Sequence, residues 1–323
     1  MERYEAIIVG AGPAGLTAAT YLGRFRRRVL ILDGGRSRAA WIPRSHNTPG
    51  FASGVGGPEL LRNMGEQACR YGAERRAGLA ETLSRTEDGF ALRVVDAGGR
   101  AAELSAPFVL LATGVIDRLP ALQNLEAAIA AARVRMCPIC DAYEAIDQKI
   151  AVLGDDDLGA REAAFLTTYS KDVTLLHLGQ PSALRDPAAL AERGIEVLPV
   201  SIGQLAVDVD GVSVALADGE TRAFDCLYLA LGCEMRSRLA VRWGAEHDPA
   251  GNLIVDAHQR TSIDGLYAAG DVVRGLNQIA VAAAEAAIAA TDIHNRLRAL
   301  DDAEKPRAQT SAPSPGLAMT RFG

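Results

Sequence analysis

The 323-residue sequence has few aromatic residues, no long apolar run and no strong excess of charge of one sign. No stretch reaches the roughly 18 uninterrupted apolar residues that a membrane-spanning helix needs. Lysine and arginine number 34 against 40 acidic residues, a formal net charge of -6. Without a basic excess or a long basic run, nucleic acid is not an expected partner. These absences, with 49% hydrophobic and 23% charged residues, indicate a globular protein that acts neither in a bilayer nor on nucleic acid.

Cysteine is also scarce, with five residues in the chain. So few cysteines do not make the disulfide framework of a small secreted domain. The N-terminal residues MERYEAIIVGAG enter a predicted strand at once, and no signal peptide is recognised there. We therefore expect a cytoplasmic protein in which any disulfide is catalytic. The isolated cysteines are predicted to be ordinary buried residues: Cys69, Cys226 and Cys233.

The chain is long enough for two domains, and the same order of elements occurs twice along it. An apolar strand over 4–9 leads into a glycine-rich turn over 10–15, a helix over 16–26 and a strand over 29–32. A similar order returns over 150–176. Such βαβ units imply parallel sheets covered by helices. We predict an α/β fold with two Rossmann-like nucleotide-binding domains, the second inserted in the first.

The predicted domain limits follow from this repetition. The first domain comprises residues 1–117 and 248–300, and the second comprises residues 118–247. Residues 301–323 form a C-terminal tail in the prediction. Within it, residues 301–316 are rich in charge, proline, serine and alanine and are interpreted as a flexible linker.

Gly10, Gly12 and Gly15 have the spacing of a dinucleotide-binding turn between a strand and a helix. In such a turn the first glycine permits a tight bend, the second lets a pyrophosphate approach, and the third lets helix and strand pack closely. Amides at the helix N-terminus favour the phosphate charge. Asp33 ends the second strand, where an acid can hydrogen-bond ribose hydroxyls. The alternative, a purely structural turn, does not account for this acid.

Two later segments end predicted strands and indicate which dinucleotide is bound. They are Ala112-Thr113-Gly114 and the run from Gly265 to Asp271, GLYAAGD. The second segment looks like the late motif of two-dinucleotide flavoproteins, in which the aspartate contacts the ribityl-phosphate region of the flavin. Asp271 could instead cap the alanine-rich helix that follows, a role compatible with the first. We therefore predict FAD in the first domain.

Cys137-Pro138-Ile139-Cys140-Asp141 is the sharpest chemical feature of the sequence. Two cysteines separated by two residues can close a small disulfide ring, and such thiols often have depressed pKa values. A reduced flavin can pass two electrons to this disulfide, and Asp141 can relay the proton. A zinc site would need a second ligand pair, which the isolated cysteines do not form. An inert buried pair is the other alternative, although proline between the cysteines suits a turn better than a packed strand.

The order of these motifs resembles that of the low-molecular-weight thioredoxin reductases, over about residues 5 to 298. The resemblance implies that Cys137 and Cys140 are the redox pair, with Cys140 nearer the flavin. It implies that Asp141 is the acid of that site. It also implies a homodimer, a thioredoxin-like partner, and a rotation between domains that exposes the cysteines alternately to flavin and to partner.

The second nucleotide turn departs from this family's pattern. Gly154 and Gly159 enclose three consecutive carboxylates, Asp155 to Asp157. These suit a helix N-terminus but would repel a pyrophosphate. The basic cluster that would hold the 2′-phosphate of NADPH is replaced by His177-Leu178-Gly179, with only Arg185 nearby. We therefore expect that ordinary NADPH binding is lost; weak NADH binding by an atypical loop is the alternative.

This departure resembles the pyridine-nucleotide-independent branch of the family, which includes the deeply rooted thioredoxin reductases. The loop over 37–50 and the segment over 275–279 look similar to that branch. In such enzymes a C-terminal tail can place an aromatic ring against the flavin, and the tail here ends near Phe322; an incidental phenylalanine is the alternative. The predicted flavin-binding residues are Gly10, Gly12, Pro13, Ala14, Gly15, Asp33, Gly34, Asn47, Ala112, Thr113, Gly114, Gly270, Asp271, Gln278, Ile279 and Phe322.

The sequence thus predicts a FAD-dependent thiol–disulfide oxidoreductase whose partner is a thioredoxin-like protein or a small dithiol, and no metal site. Three alternatives stay open: a dithiol oxidase that uses oxygen, an NAD(P)H-dependent thioredoxin reductase, and a flavin redox sensor without turnover. The electron donor is not specified by the residues, and ferredoxin or another flavoprotein are candidates.

Overall fold

A computed structural model describes residues 2–35, 37–180, 182 and 184–304 of the chain. Phe322 and the rest of the predicted tail beyond residue 304 lie outside the described residues. Among the described residues, no helix is both long enough and apolar enough to cross a membrane.

Short strands and helices alternate along the chain. The strands are β1 (Glu2–Arg3), β2 (Ala6–Val9), β3 (Val29–Asp33), β4 (Glu74–Ala77), β5 (Leu79–Thr86), β6 (Gly89–Val95), β7 (Ala101–Ala106), β8 (Phe108–Leu111), β9 (Val115–Asp117), β10 (Val134–Arg135), β11 (Ile150–Gly154), β12 (Val173–Leu178), β13 (Glu196–Val200), β14 (Leu205–Val207), β15 (Val212–Ala215), β16 (Thr221–Phe224), β17 (Cys226–Ala230), β18 (Cys233–Met235) and β19 (Leu266–Ala268). The α-helices are α1 (Pro13–Arg24), α2 (Gly57–Arg70), α3 (Leu125–Ala130), α4 (Pro138–Asp141), α5 (Asp157–Leu166), α6 (Pro187–Glu192), α7 (Arg238–Val241) and α8 (Ile279–Glu304).

The first nucleotide-fold unit is built on a five-stranded parallel sheet in the order β19-β8-β2-β3-β4. Alternate residues of β2 point to opposite faces, so Ile8 joins the core beneath α1 and α8, whereas Ile7 joins the core beneath the antiparallel sheet β1-β7-β6-β5. Small residues on α8, including Ala282, Ala286 and Ala289, are buried against α1. This close packing fixes the start of α8 beside the glycine turn that precedes α1.

The second unit repeats the plan with the parallel order β10-β17-β11-β12-β13. One face of this sheet is covered by α5 and α6, and the other by the antiparallel strands β14-β15-β16. The central strands β2, β11 and β17 are almost continuously apolar, as expected where both faces of a sheet are buried. The prediction of an α/β fold with two Rossmann-like domains is confirmed.

The two units are joined by a pair of short antiparallel strands, β9 and β18, in which Val115 faces Met235 and Asp117 faces Cys233. The Thr113 hydroxyl donates to the Arg236 carbonyl over 2.7 Å. The chain therefore leaves the first unit and returns to it at neighbouring points.

Two predictions on the first unit were wrong. Residues 301–304 continue α8 instead of beginning a flexible linker. Their helical turn is held by an ion pair between Arg27 and Asp301, at 2.8 Å, which local composition does not reveal. Cys69 is exposed, not buried, because its neighbour Ala68 takes the core-facing position of α2.

Candidate active site

One large cleft opens at the carboxyl ends of the first unit's parallel strands, the edge at which open α/β sheets bind ligands. The empty space in the cleft, with its open mouth included, is about 1360 Å³. Residues from both units line it. The predicted site residues on its wall are Gly10, Gly12, Pro13, Ala14, Asp33, Gly34, Asn47, Ala112, Thr113, Gly114, Cys137, Cys140, Asp141, Gly270, Asp271, Gln278 and Ile279.

The glycine turn fits a dinucleotide because its three glycines face different surroundings. A Cβ on Gly10 would lie 2.2 Å from the Ala112 carbonyl oxygen, and one on Gly15 would lie 1.8 Å from the Gly10 carbonyl oxygen. These two glycines are required by the protein's own packing. A Cβ on Gly12 would meet only the Ser37 hydroxyl, at 3.4 Å. The space in front of Gly12 is therefore open to a ligand, as a pyrophosphate at the start of α1 requires.

Asp33 lies at the end of β3, beside Gly34 on the wall of the cleft. One carboxylate oxygen accepts the Gly35 amide over 2.7 Å, and the other accepts both Arg75 Nε and Nη2. These bonds fix the orientation of the carboxylate. It is therefore a positioned acceptor where the sequence predicts a ribose contact.

Arg38 is a residue of this cleft to which the sequence analysis gave no role. Its guanidinium donates two hydrogen bonds to Asp117, at 2.7 and 2.8 Å, and one to Asp271, at 3.3 Å. Burial raises the pKa of the Asp271 carboxyl, and the Arg38 charge opposes this rise. Arg38 thus links Asp117 of β9 to Asp271, the acid that the sequence predicts to contact the flavin.

Cys137 and Cys140 form a disulfide on the wall of the same cleft. Pro138 begins α4 directly after Cys137, and the Cys140 amide donates to the Cys137 carbonyl over 2.9 Å. The Gln278 side-chain amide donates to the sulfur of Cys140 at 3.4 Å and to that of Cys137 at 3.7 Å. Its carbonyl oxygen accepts Asn47 Nδ2 over 2.9 Å. Residues of the first unit therefore hold the disulfide of the second.

Asp141 follows the second cysteine and is met by two groups that sequence reasoning did not identify. The Tyr228 hydroxyl donates to its Oδ1 over 3.0 Å, and Arg135 Nη1 lies 3.3 Å from its Oδ2. Burial raises the pKa of Asp141, whereas Arg135 and Tyr228 lower it. No short motif includes these two residues, so only the fold brings them to the acid.

The turn of the second unit has the same glycine spacing as the first, with an aspartate at the middle position. A Cβ on Gly154 would lie 2.8 Å from Gly159 Cα, so the outer glycines again serve close packing. Asp156, at the middle position, caps α5 by accepting the Leu158 amide over 2.7 Å. The protein's own carboxylate thus takes an amide that a bound phosphate would otherwise use.

Two basic residues, His177 and Arg185, lie in the region where a 2′-phosphate clamp would be expected. His177 is buried in the second sheet, with 1% of its surface exposed. Arg185 forms an ion pair with Asp157 at 2.8 Å, and its amide donates to the same carboxylate. The Arg185 guanidinium is therefore paired with an acid of the second unit's own turn.

Glu162 on α5 is a second acid with an unusual environment. Its Oε2 is buried without a hydrogen-bond partner among the described residues. Burial raises the pKa of Glu162 to about 7, against the influence of Arg161 and Arg38. The side chain therefore changes charge in the neutral pH range.

A Rossmann-type cleft that faces a CxxC disulfide defines the class of flavoprotein disulfide oxidoreductases. The profile of the pyridine nucleotide-disulphide oxidoreductase family matches residues 4–286, and the chain belongs to this family. Proteins of this family bind FAD, and this chain is accordingly a FAD-binding enzyme.

Several relatives and solved structures to which the chain is similar are thioredoxin reductases. The thioredoxin reductase of Streptomyces coelicolor is 33% identical, over 95% of this chain and 98% of its own length. The bifunctional thioredoxin reductase/thioredoxin of Mycobacterium leprae is also 33% identical, over 90% of this chain and 65% of its own length. The structure of thioredoxin reductase from Streptococcus pyogenes superposes with a TM-score of 0.78 at 27% identity, over 92% and 99% of the two chains.

The substitution Gly12→Ala tests the cofactor cradle. The protein has room for the methyl group, so we expect a folded variant, but the group would occupy the phosphate's space. The fraction of purified protein that retains FAD should fall at least about tenfold, since a hydrogen bond to a charged group is worth about 1.5–3 kcal/mol. Gly15→Ala is the contrasting variant, which should fail to fold. Native FAD content in Gly12→Ala would contradict the assignment.

The substitution Glu162→Gln tests the buried acid by the pH dependence of stability. Between the ordinary pKa of 4.5 and the folded value of about 7, the unfolded chain releases this proton while the folded chain keeps it. The free energy of unfolding therefore falls as pH rises through this window. At about pH 8 the variant should be more stable than the native protein by roughly 1–3 kcal/mol, with little difference near pH 4.5. The exposed Glu192→Gln substitution is the control in urea titrations; an equal pH profile for all three proteins would refute the prediction.

Proposed function

We propose that this enzyme moves electron pairs between FAD in the first unit and the Cys137–Cys140 disulfide, and from there to or from a thioredoxin-like protein or a small dithiol. The observation that carries the proposal is the position of the disulfide. It lies on the wall of the cleft that holds the glycine turn, and Gln278 contacts both of its sulfurs. Bound FAD supplies the two-electron chemistry.

The chain's own residues account for the exchange with the partner. Reduction of the disulfide gives two thiols, with two electrons and two protons taken up. One cysteine releases its proton and, as the thiolate, attacks the partner's disulfide to form a mixed disulfide, and the first partner thiolate leaves and takes up that proton. The second cysteine gives its proton to the Asp141 carboxylate and attacks the sulfur of the first cysteine, which forms the Cys137–Cys140 bond again and breaks the bond to the partner. The second partner thiolate leaves with the proton that Asp141 held.

A protein partner is favoured by the surface around the cysteines. Ile139, between the two cysteines, is 53% exposed, and Tyr143 and Ile146, which follow them, are 73% and 44% exposed. An exposed apolar group of this kind, next to a redox centre, is typical of an interaction site. The names of the relatives from Streptomyces coelicolor and Mycobacterium leprae support a thioredoxin as that partner.

The proposed electron donor or acceptor is not NADPH. Asp156 caps its own helix where a pyrophosphate would bind, and Arg185 is paired with Asp157. Both features oppose the binding of an anionic nucleotide. They support placing the chain in the pyridine-nucleotide-independent branch of the family. For the two domains we propose the limits predicted from the sequence. Ferredoxin, another flavoprotein or oxygen would then exchange electrons with the flavin.

An anaerobic titration of the purified yellow protein tests this function. Neither NADPH nor NADH should bleach the flavin absorbance, whereas an excess of dithiothreitol or reduced thioredoxin should bleach it through the cysteine pair. Rapid bleaching by either nucleotide would contradict the proposed donor class. Bleaching by nucleotide but not by any dithiol would contradict the exchange itself. Release of hydrogen peroxide when air is admitted to the dithiol-reduced protein would assign the oxidase direction.

A further inference from the structure

We propose that Tyr228 and Arg135 are positioning residues that fix the Asp141 carboxyl beside the cysteines and set the pH at which it exchanges its proton. The inference deepens the proposed function and rests on it, because it concerns the proton exchange of Asp141 at the same dithiol–disulfide site. It concerns two residues that belong to no recognised motif.

The fold places these two side chains together. Arg135 of β10 and Tyr228 of β17 are direct partners in the parallel register of the second sheet. Partners in register share a face of the sheet, so the guanidinium and the phenol extend to the same side. The acid at the end of α4 lies over this pair. Two neighbouring strands thus hold one carboxyl group, from one side each.

Arg135 holds the backbone of the redox segment as well as its acid. Its Nη1 donates to the Asp141 carbonyl oxygen over 3.0 Å, in addition to the carboxylate contact, and its Nε donates to the Ala132 carbonyl over 3.1 Å. Only 8% of its side chain is exposed. A charge that is so buried gives little net stability even when it is paired. Its presence is better explained by the position it imposes on Asp141.

The hydroxyl of Tyr228 also fixes the position of the Asp141 carboxyl in our interpretation. The ring is fully buried in the core beneath α5, where phenylalanine would pack equally well. The hydroxyl donates to Asp141 Oδ1 over 3.0 Å. A buried hydroxyl without a partner would be costly, so Tyr228 is suited to this place by the carboxylate that it contacts.

The charged and titratable groups around Asp141 have opposing effects on its proton affinity. Burial raises the pKa of Asp141, and Glu144 adds to the rise, whereas Arg135 and Tyr228 lower it. The Cys226 thiol lies behind this cluster on β17, and burial raises its pKa to about 11, so it stays uncharged. Removal of the Tyr228 hydroxyl withdraws a hydrogen bond from the charged form of Asp141, which shifts the balance toward the protonated form.

The experiment is the pH profile of partner reduction by Tyr228→Phe holoenzyme that has first been reduced with dithionite, with disappearance of the disulfide of oxidised thioredoxin as the readout. The pH limb that reports Asp141 should move upward by about one unit, a tenfold change in proton affinity. The FAD content should stay near its native value. Tyr169→Phe is the matched control, because this tyrosine packs against the same core but has no contact with Asp141. Its pH limb should not move.

Arg135→Lys is a second variant, which keeps the positive charge but loses the several N–H donors of the planar guanidinium. It should show a smaller shift of the limb and a larger fall in maximal rate than Tyr228→Phe, because the backbone of the redox segment loses an anchor. Unshifted limbs in both Tyr228→Phe and Arg135→Lys would overturn the inference while native exchange stands. Absence of exchange in the native protein would instead overturn the proposed function.

Discussion

The contact between Gln278 and the two sulfurs of the Cys137–Cys140 disulfide links the cleft of the first unit to the disulfide of the second. Gln278 directly precedes α8, whose buried alanines pack against α1, and α1 begins at the glycine turn. The disulfide belongs to the other unit and is carried by α4. One side-chain amide of the first unit therefore contacts both cysteines of the second unit at the cleft that the FAD fold provides. Because of this placement, the glycine turn of the first unit and the CxxC segment of the second lie on the wall of the same cleft.

The two glycine turns have the same spacing of outer glycines but differ at the middle position. In both turns the outer glycines are required by contacts within the protein, and the middle position decides what the helix N-terminus meets. Gly12 leaves that space open, whereas Asp156 fills it with the chain's own carboxylate. If the second unit binds no nucleotide, as we propose, its turn can still keep this fold, since Gly154 and Gly159 serve contacts within the protein.

Sequence reasoning identified features that are contained in short segments. The glycine spacing, the strand-end acids Asp33 and Asp271 and the CxxC segment are of this kind, because each depends on residues a few positions apart. Arg38, Arg135 and Tyr228 could not be identified in this way. Their partners are distant in the chain, and the sheet register and the loop conformation alone bring them together. The helical residues 301–304 were missed for the same reason, since Arg27 fixes them from far away in sequence.

The most direct test of the central claim is an anaerobic dithionite titration of the FAD-loaded protein, followed by flavin absorbance and by thiol counting. If flavin and disulfide share electrons, the native protein should take up one electron pair for the flavin and a second for the disulfide before reduction is complete. A variant with Cys137→Ser and Cys140→Ser should take up only the first. A native protein that is fully reduced by one electron pair, with its disulfide intact, would contradict the account.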